Sequence, residues 1–206
     1  VHAEARSFAK AGKTIFLVGH AGHEEVEGTM GEAPEAIRLV ETADDVAALE
    51  VDDPGEVAFL TQTTLAVDDT MAVVDAIRRR FPALVGPRSD DICYATQNRQ
   101  QALLAVAREA DVVLVVGSGN SSNSKRLVEV AERQGTPAHL VDDATEIDPS
   151  WLHGAATVGL TAGASAPDGL VREIVDELRG MGPVAVEERT ITQETIQFGL
   201  PKEVKQ

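Results

Sequence analysis

Cysteine, long apolar runs and basic residues are scarce in this sequence, and each scarcity excludes a class of protein. A chain with one Cys in 206 residues forms no internal disulfide. No apolar stretch approaches the ~18 residues that a membrane helix needs, and the N-terminus lacks the apolar core of a signal peptide. We therefore expect a protein of a reducing compartment, the cytoplasm, without a membrane partner.

The charge balance argues against nucleic acid as a partner. Eighteen basic residues stand against 34 acidic ones, which gives a formal net charge of -16. Nucleic-acid affinity depends largely on cationic side chains that displace counterions from the phosphate backbone, and this chain would repel that backbone. The composition is 43% hydrophobic, which is enough for a core. At ~100 to 150 residues per domain, the length predicts one large or two small domains.

Short apolar runs alternate with amphipathic helices along the chain, a pattern typical of a parallel sheet with crossover helices. Strands are predicted over residues 14–18, 36–40, 57–60, 112–116, 138–141 and 157–160. One predicted helix places Val67, Met71, Val74, Ile77 and Phe81 on its core face, and a later helix does the same with Leu170, Ile174 and Leu178.

An internal repeat divides the chain in two. "LVGH" at 17–20 and "VVGS" at 115–118 stand 98 positions apart, as do Thr63 and Thr161, each expected directly after the third strand of its set. We predict an α/β protein of two pseudo-repeated small domains, each a short parallel sheet flanked by helices. Their bounds are 1–89 and 90–182, the second starting with the Cys segment, and 183–206 forms an extended C-terminal arm.

Polar clusters follow four of the predicted strands. They are "GHAGHEEVEG", "TQTT", "GSGNSSNS" and "TAGASAP". In open parallel sheets ligands bind beyond the carboxyl ends of the strands, where loop amides and helix N-termini point outward. The clusters offer imidazoles, hydroxyls, a carboxamide and free amides, which suit an anion held without a strongly cationic residue.

Each cluster also has a purely structural interpretation, and the residues alone leave both open. The histidines are then solvated loop residues, the acids complement a helix dipole, the hydroxyl residues are turns or caps, and the thiol is a small buried hydrophobe. This alternative covers His20, His23, Glu24, Glu25, Thr63, Cys93, Asn120, Ser121, Ser122 and Ser165.

A dinucleotide-binding fingerprint is a further alternative. Gly117 and Gly119 follow a strand, and the acidic pair Asp142 and Asp143 ends the next one. The third glycine of the fingerprint is replaced by Ser122, and the half-domain has few strands for a doubly wound sheet, so this alternative is less favoured.

Five longer strings together resemble one family. "GHAGHEEVEGTMGE", "TQTTLAVDDT", "RFPALVGPRSDDICYATQNRQ", "VGSGNSSNSKRL" and "GLTAGASAPDGLV" are similar, in order and spacing, to the motifs of the 4-hydroxy-3-methylbut-2-enyl diphosphate reductases. These are the iron-sulfur oxidoreductases that end the non-mevalonate pathway of isoprenoid biosynthesis. The resemblance covers essentially the whole chain, although Glu24 stands where the family often has proline.

The resemblance implies a metal-binding role for Cys93. Members have three similar α/β units around a [4Fe-4S] cluster, and each unit contributes one Cys thiolate. Cys93 matches the third of these ligands, and the two further Cys ligands are expected outside this chain. The chain matches the second and third units, with the first unit absent, and the helical pattern at Val1 begins without a capping residue.

The resemblance also implies the other site residues. His23 matches a histidine at the substrate's diphosphate and hydroxyl end, Glu25 the essential acid that supplies protons, and Thr63 the threonine that relays to the substrate hydroxyl. The family's neutral donors to the diphosphate correspond to Ser121, Ser122, Asn123 and Ser165.

The implied reaction is reductive dehydroxylation of 4-hydroxy-3-methylbut-2-enyl diphosphate to isopentenyl and dimethylallyl diphosphate. Electrons come from an external carrier such as ferredoxin or flavodoxin. The alternative for this chain is a cluster-free fragment that acts only as a diphosphate-binding module.

Overall fold

The chain folds as two three-stranded parallel sheets in the computed structural model, which describes residues 1–87 and 94–192. The first sheet has the order β2-β1-β3 and consists of β1 (Thr14–Val18), β2 (Ile37–Val40) and β3 (Val57–Thr61). The second has the order β5-β4-β6 and consists of β4 (Val112–Val116), β5 (Ala138–Val141) and β6 (Val158–Ala162). The predicted α/β architecture is confirmed.

Helices cover both faces of each sheet. They are α1 (His2–Lys10), α2 (Glu24–Glu32), α3 (Val67–Arg80), α4 (Tyr94–Ala107), α5 (Ser122–Arg133) and α6 (Asp168–Met181). Short 3-10 turns lie at Asp45–Ala48, Ala144–Glu146 and Pro149–Leu152.

The central strands show why the two sheets are covered in the same way. Side chains alternate along a strand, so β1 sends Ile15 and Leu17 toward α1 and α2 and sends Phe16 and Val18 toward α3. In the second unit, β4 alternates in the same way between α4 with α5 on one face and α6 on the other. Helix α4 therefore occupies the place in the second unit that α1 occupies in the first.

Two details of the predicted pattern are wrong. Met71 is 46% exposed, while Thr70 is buried; the buried face of α3 runs through Thr70, Val74 and Ile77, one position away from Met71. Thr161 lies inside β6 instead of after it.

Strand register explains the misplaced threonine. Val57 is the partner of Thr14, and Val158 is the partner of Val112, so the third strands stand 101 positions apart while the first strands stand 98 apart. The second unit has three more residues before its third strand, and Thr63 therefore has no counterpart at Thr161.

Residues 183–192 form neither helix nor strand, and Arg189 donates to Glu109 at 2.9 Å. The rest of the predicted arm, 193–206, lies outside the described residues. Among the helices of residues 1–87 and 94–192, none has the length and apolar character required to traverse a bilayer.

An imidazole stacks on the single tryptophan at the outer edge of the second sheet. The rings of His139 on β5 and Trp151 lie 3.9 Å apart between centroids and only 8° from parallel. Burial lowers the pKa of His139 below its ordinary value, and nearby Glu132 and Asp148 only partly oppose this shift. The folded state therefore favours the neutral imidazole.

We predict that His139 makes the protein less stable as pH falls. A histidine with a lowered pKa in the folded state stabilises the fold fully above its unfolded pKa of about 6.5, and this contribution is lost as pH falls through the folded value. Urea unfolding at pH 7.5 and pH 5.0 should show a smaller loss for His139→Phe than for the parent chain. An equal loss in both proteins would contradict the assignment.

Candidate functional site

The polar clusters meet where the first sheet ends and α5 begins. His23 is the N-cap of α2, with extended backbone dihedrals (φ -83°, ψ 132°), and its Nδ1 accepts a hydrogen bond from the Glu25 backbone N–H at 3.2 Å. N-cap side chains normally satisfy an N–H of the first helical turn in this way. His23 is thus part of the folded helix start, half-buried, and is not a solvated loop residue.

The Glu25 carboxylate is held by Thr63, which follows β3. The Thr63 backbone N–H donates to Oε1 at 3.0 Å, and the Thr63 hydroxyl donates to Oε2 at 3.1 Å. Both residues are half-buried. The structure thus joins the acid and the threonine that the resemblance singles out, and directs the carboxyl toward the end of the sheet instead of into solvent.

Ser121 caps α5 in the second unit. Its Oγ accepts from the Ser124 backbone N–H at 3.3 Å and from the Ser124 hydroxyl at 3.0 Å. The structural interpretation of Ser121 as an N-cap is therefore correct, and it does not exclude a binding role because a helix N-terminus is itself an anion-binding place.

Two glycines allow this helix start to approach the sheet. A Cβ at Gly117 or at Gly163 would lie 2.2 Å from the Oγ of Ser124, which is 1% exposed. Gly117 follows β4 and Gly163 follows β6, so Ser124 is wedged between the ends of two strands. The glycines at these positions permit close packing of helix on sheet.

We predict that Gly117→Ala destabilises the protein by about 1–3 kcal/mol, because overpacking in a filled interior forces its neighbours to shift. Urea unfolding measures this cost. Gly119→Ala is the matched control in the same loop: a Cβ at Gly119 meets nothing within 4 Å and its φ is not positive, so the control should change stability by less than ~0.5 kcal/mol. Equal effects of the two substitutions would contradict the packing argument.

Asn123 is the least satisfied polar side chain of the site. It is 7% exposed, and neither its Nδ2 nor its Oδ1 has a hydrogen-bond partner among the residues that the structure describes. Leaving a buried amide unpaired costs roughly 1–3 kcal/mol. A buried group that bears this cost beside a helix N-terminus is suited to pairing with a ligand.

One hydrogen bond joins the two units across the site. His23 Nε2 contacts the Oγ of Ser122. Because Nδ1 of a neutral His23 already accepts from a backbone N–H, its proton is on Nε2, and the imidazole donates toward Ser122. The starts of α2 and α5 are thus brought together with the imidazole N–H, two serine hydroxyls and the Asn123 amide around them.

The remaining predicted site residues are Ser165 and Cys93. Ser165 is exposed in the turn before α6, and its loop begins at Gly163 against Ser124. Cys93 lies outside the described residues. Within residues 1–87 and 94–192, no three His, Cys, Asp or Glu side chains cluster as metal ligands would.

Sequence reasoning missed two residues that support the site. Gln62 is 2% exposed and accepts from the His20 backbone N–H at 3.1 Å. Arg126 is 9% exposed and reaches from α5 to the His20 ring. The only available signal for Arg126 was its position four residues after Ser122, on the same face of the helix.

The dinucleotide alternative is not favoured by the structure. Ser122, at the position of the third glycine, contacts His23 of the other unit. Asp143 is occupied by its own turn, in which it accepts from the Thr145 backbone N–H at 2.8 Å and from the Thr145 hydroxyl at 2.6 Å. These hydrogen bonds lower the pKa of Asp143.

Comparisons with known proteins identify similar chains. The model of the LytB protein family matches residues 1–179. A 4-hydroxy-3-methylbut-2-enyl diphosphate reductase 2 of Mycobacterium bovis is 57% identical over 205 residues, which cover 100% of this chain and 62% of that protein. The corresponding reductase of Hahella chejuensis is 56% identical over 209 residues, covering 100% and 66%.

A solved structure supports the same similarity. The E-1-hydroxy-2-methyl-but-2-enyl-4-diphosphate reductase of Plasmodium falciparum superposes with a TM-score of 0.81 at 35% sequence identity. The superposition covers 85% of this chain and 55% of that one. The chain thus spans about three fifths of the length of the curated relatives it matches.

Proposed function

The chain belongs to the LytB protein family, and from that premise we propose that it supplies the diphosphate-binding and proton-donating part of a 4-hydroxy-3-methylbut-2-enyl diphosphate reductase. The reaction replaces the substrate's hydroxyl with hydrogen. Two electrons and two protons are consumed, water is released, and the products are isopentenyl and dimethylallyl diphosphate. The residues that we assign to this work lie at the junction of the two units.

The unpaired amide of Asn123 is the observation that carries the proposal. Its Nδ2 and Oδ1 are buried without a partner among the described residues, next to the N-terminus of α5. An anion with oxygen acceptors would pair with the amide N–H and relieve the cost of its burial.

The groups around Asn123 fit a diphosphate. His23, assigned to the same anion, donates its Nε2–H to the Ser122 Oγ, and the Ser122 hydroxyl can then donate its own proton to the anion. Ser121 contributes a second hydroxyl at the cap, and the first backbone N–H groups of α5 point outward. Ser165 is assigned to the same anion because its loop adjoins Ser124. All of these donors are neutral, so they hold the anion through directed hydrogen bonds.

We predict that Asn123→Leu removes ligand binding and raises stability. An apolar side chain of similar size removes an unpaired buried amide, which should increase the free energy of unfolding by about 1 kcal/mol. The variant also loses donors to the diphosphate. Urea unfolding of this chain, with and without inorganic pyrophosphate or isopentenyl diphosphate, measures both effects.

Asn120→Leu is the matched control, since Asn120 lies exposed in the same loop. We expect this control to keep the parent's stabilisation by ligand. If Asn123→Leu were stabilised by pyrophosphate as strongly as the parent, Asn123 would not be a ligand.

The pair of Glu25 and Thr63 has the geometry of a proton relay. A hydroxyl donates one hydrogen bond and accepts others, so a protonated Glu25 can donate to Thr63 Oγ while the Thr63 proton turns toward the substrate oxygen. The Thr63 N–H holds the carboxyl in place in either protonation state. We therefore assign proton donation to Glu25 and relay to Thr63.

We predict that Glu25→Gln lowers kcat at least about 100-fold with KM changed only a few-fold, because general acids contribute 10²- to 10⁴-fold. Gln keeps the shape and can still accept from the Thr63 N–H, but it has no proton to give. The measurement is turnover of the allylic diphosphate by a cluster-reconstituted reductase that contains this chain.

Glu24→Gln serves as the control, because Glu24 precedes Glu25 in the same helical turn and is exposed. It should leave kcat within about two-fold. Thr63→Ser should retain most of the activity and Thr63→Val should not. Normal turnover by Glu25→Gln would overturn the role of Glu25.

We assign Cys93 as the one thiolate that this chain contributes to a [4Fe-4S] cluster. A cubane cluster is commonly held by Cys thiolates, and the sequence has one Cys, so any further thiolate ligands come from outside these 206 residues. The described residues contain no ligand set for a metal. An external ferredoxin or flavodoxin would deliver electrons, in the cytoplasm.

A further inference from the structure

A second contact between the units lies beside the proposed anion site. On α5, Arg126 follows Ser122 by four residues, one helical turn, and its side chain crosses to the loop between β1 and α2. Arg126 Nη2 lies 2.7 Å from His20 Nε2, and Nη1 contacts Glu129 on its own helix. The two histidines of "GHAGH" thus each contact α5: His20 at Arg126 and His23 at Ser122.

Arg126 determines which nitrogen of a neutral His20 carries the proton. A guanidinium has donors and no acceptor, so Nη2 donates and Nε2 of His20 accepts. The proton of His20 is therefore on Nδ1, which faces Glu41 Oε2 at 3.7 Å. His23 is in the opposite state, with its proton on Nε2, because its Nδ1 accepts from the Glu25 backbone.

The loop between the histidines is fastened at its first residues. The Gln62 side chain accepts from the His20 backbone N–H at 3.1 Å, and Glu41 accepts from the Ala21 N–H at 3.1 Å. The His20 ring lies between Glu41 and Arg126. Residues 20 and 21 are thus held by the ends of β2 and β3 and by α5, directly before the turn that leads to His23.

We propose that Arg126 is a positioning residue that, through His20, holds the His23 ring with its Nε2–H on Ser122, beside the proposed anion. Arg126 does not itself bind the ligand. Arg126 is 9% exposed, and its guanidinium is directed at His20 and Glu129. The proposal rests on the proposed function only for the identity of the anion; the alignment of the two histidines does not depend on it.

The first test needs no ligand. Long-range ¹H–¹⁵N spectra of the histidine rings at pH 8 report which nitrogen is protonated. In the parent chain we expect the Nδ1–H form for His20 and the Nε2–H form for His23. Arg126→Met keeps the length of the side chain and removes its donors, and should shift the ring signals of both histidines.

Arg133→Met is the matched control for loss of a cation between the units. Arg133 on α5 donates to Asp69 on α3, whereas the hydrogen bond to His20 comes from Arg126. We expect unchanged His20 and His23 signals in this variant. Arg126→Lys should restore the signals only in part, since an ammonium lacks the planar fork of a guanidinium.

The second test measures binding of inorganic pyrophosphate. Arg126→Met should weaken it about ten-fold, equivalent to ~1.4 kcal/mol, and Arg133→Met less than two-fold. If the parent chain does not bind pyrophosphate, the proposed function fails while the ring spectra still decide the positioning role.

His20→Phe removes the same hydrogen bond by changing its other partner. Because the His20 side chain is 49% exposed, this variant replaces Arg126→Met in the test if Arg126→Met does not fold. We expect it to change the His23 signals as Arg126→Met does. The proposal is overturned if the His23 signals in both Arg126→Met and His20→Phe are the same as in the parent chain. If Arg126→Met does not fold, parent-like His23 signals in His20→Phe alone overturn it.

Discussion

The contact between His23 and Ser122 is the constraint on which the site depends, because it brings the N-termini of two helices together. His23 caps α2 and Ser122 opens α5. Each helix N-terminus carries a partial positive charge from its unpaired N–H groups. Two such ends at one place favour an anion between them, and first-turn Glu24 and Glu25 offset this only for α2.

The overall charge of the protein makes such local donors necessary. A formal charge of -16 repels an approaching diphosphate at long range. Lys125, the cationic residue nearest the site by sequence, is exposed, and the buried Arg126 is turned to His20 and Glu129. Binding of the proposed diphosphate would therefore come from hydrogen bonds at short range, whose strength depends on direction. A site of this kind tolerates little movement of its donors, which is why the contacts that hold the His20–His23 loop matter.

Much of the fold could be predicted from the alternation of apolar runs with amphipathic helices. In that pattern the short apolar runs are the strands that are buried on both faces of a sheet. β4 is buried throughout and β1 is buried from Ile15 onward, and the bounds of both strands were predicted to the residue. The repeat also placed His23 and Ser122 at the ends of equivalent strands. The prediction from repeat spacing was wrong where loop length differs between the units. The number of positions between the two first strands does not apply to the two third strands, and so Thr161 was misplaced.

Other features had no sequence signal because they depend on tertiary distance. Met71 and Thr70 are neighbours on α3, and only the packing of the helix decides which one is buried. The partner of Arg126 stands 106 residues away in the sequence. That Asn123 has no partner within the described part of the chain is a property of its surroundings and not of its residue type.

The position of the site at the junction has a thermodynamic consequence. His23, Glu25 and Thr63 belong to the first unit, and Ser121, Ser122 and Asn123 to the second, so neither unit holds all the proposed site residues. A ligand that contacts both sets binds only when the units are correctly placed, and by linkage it must stabilise that placement. The contacts of Arg126 with His20 and of Arg133 with Asp69 hold the units together before the ligand arrives. They would lower the ordering cost that binding of the proposed anion includes, and Asn123, without a partner among the described residues, is the group that such an anion would satisfy.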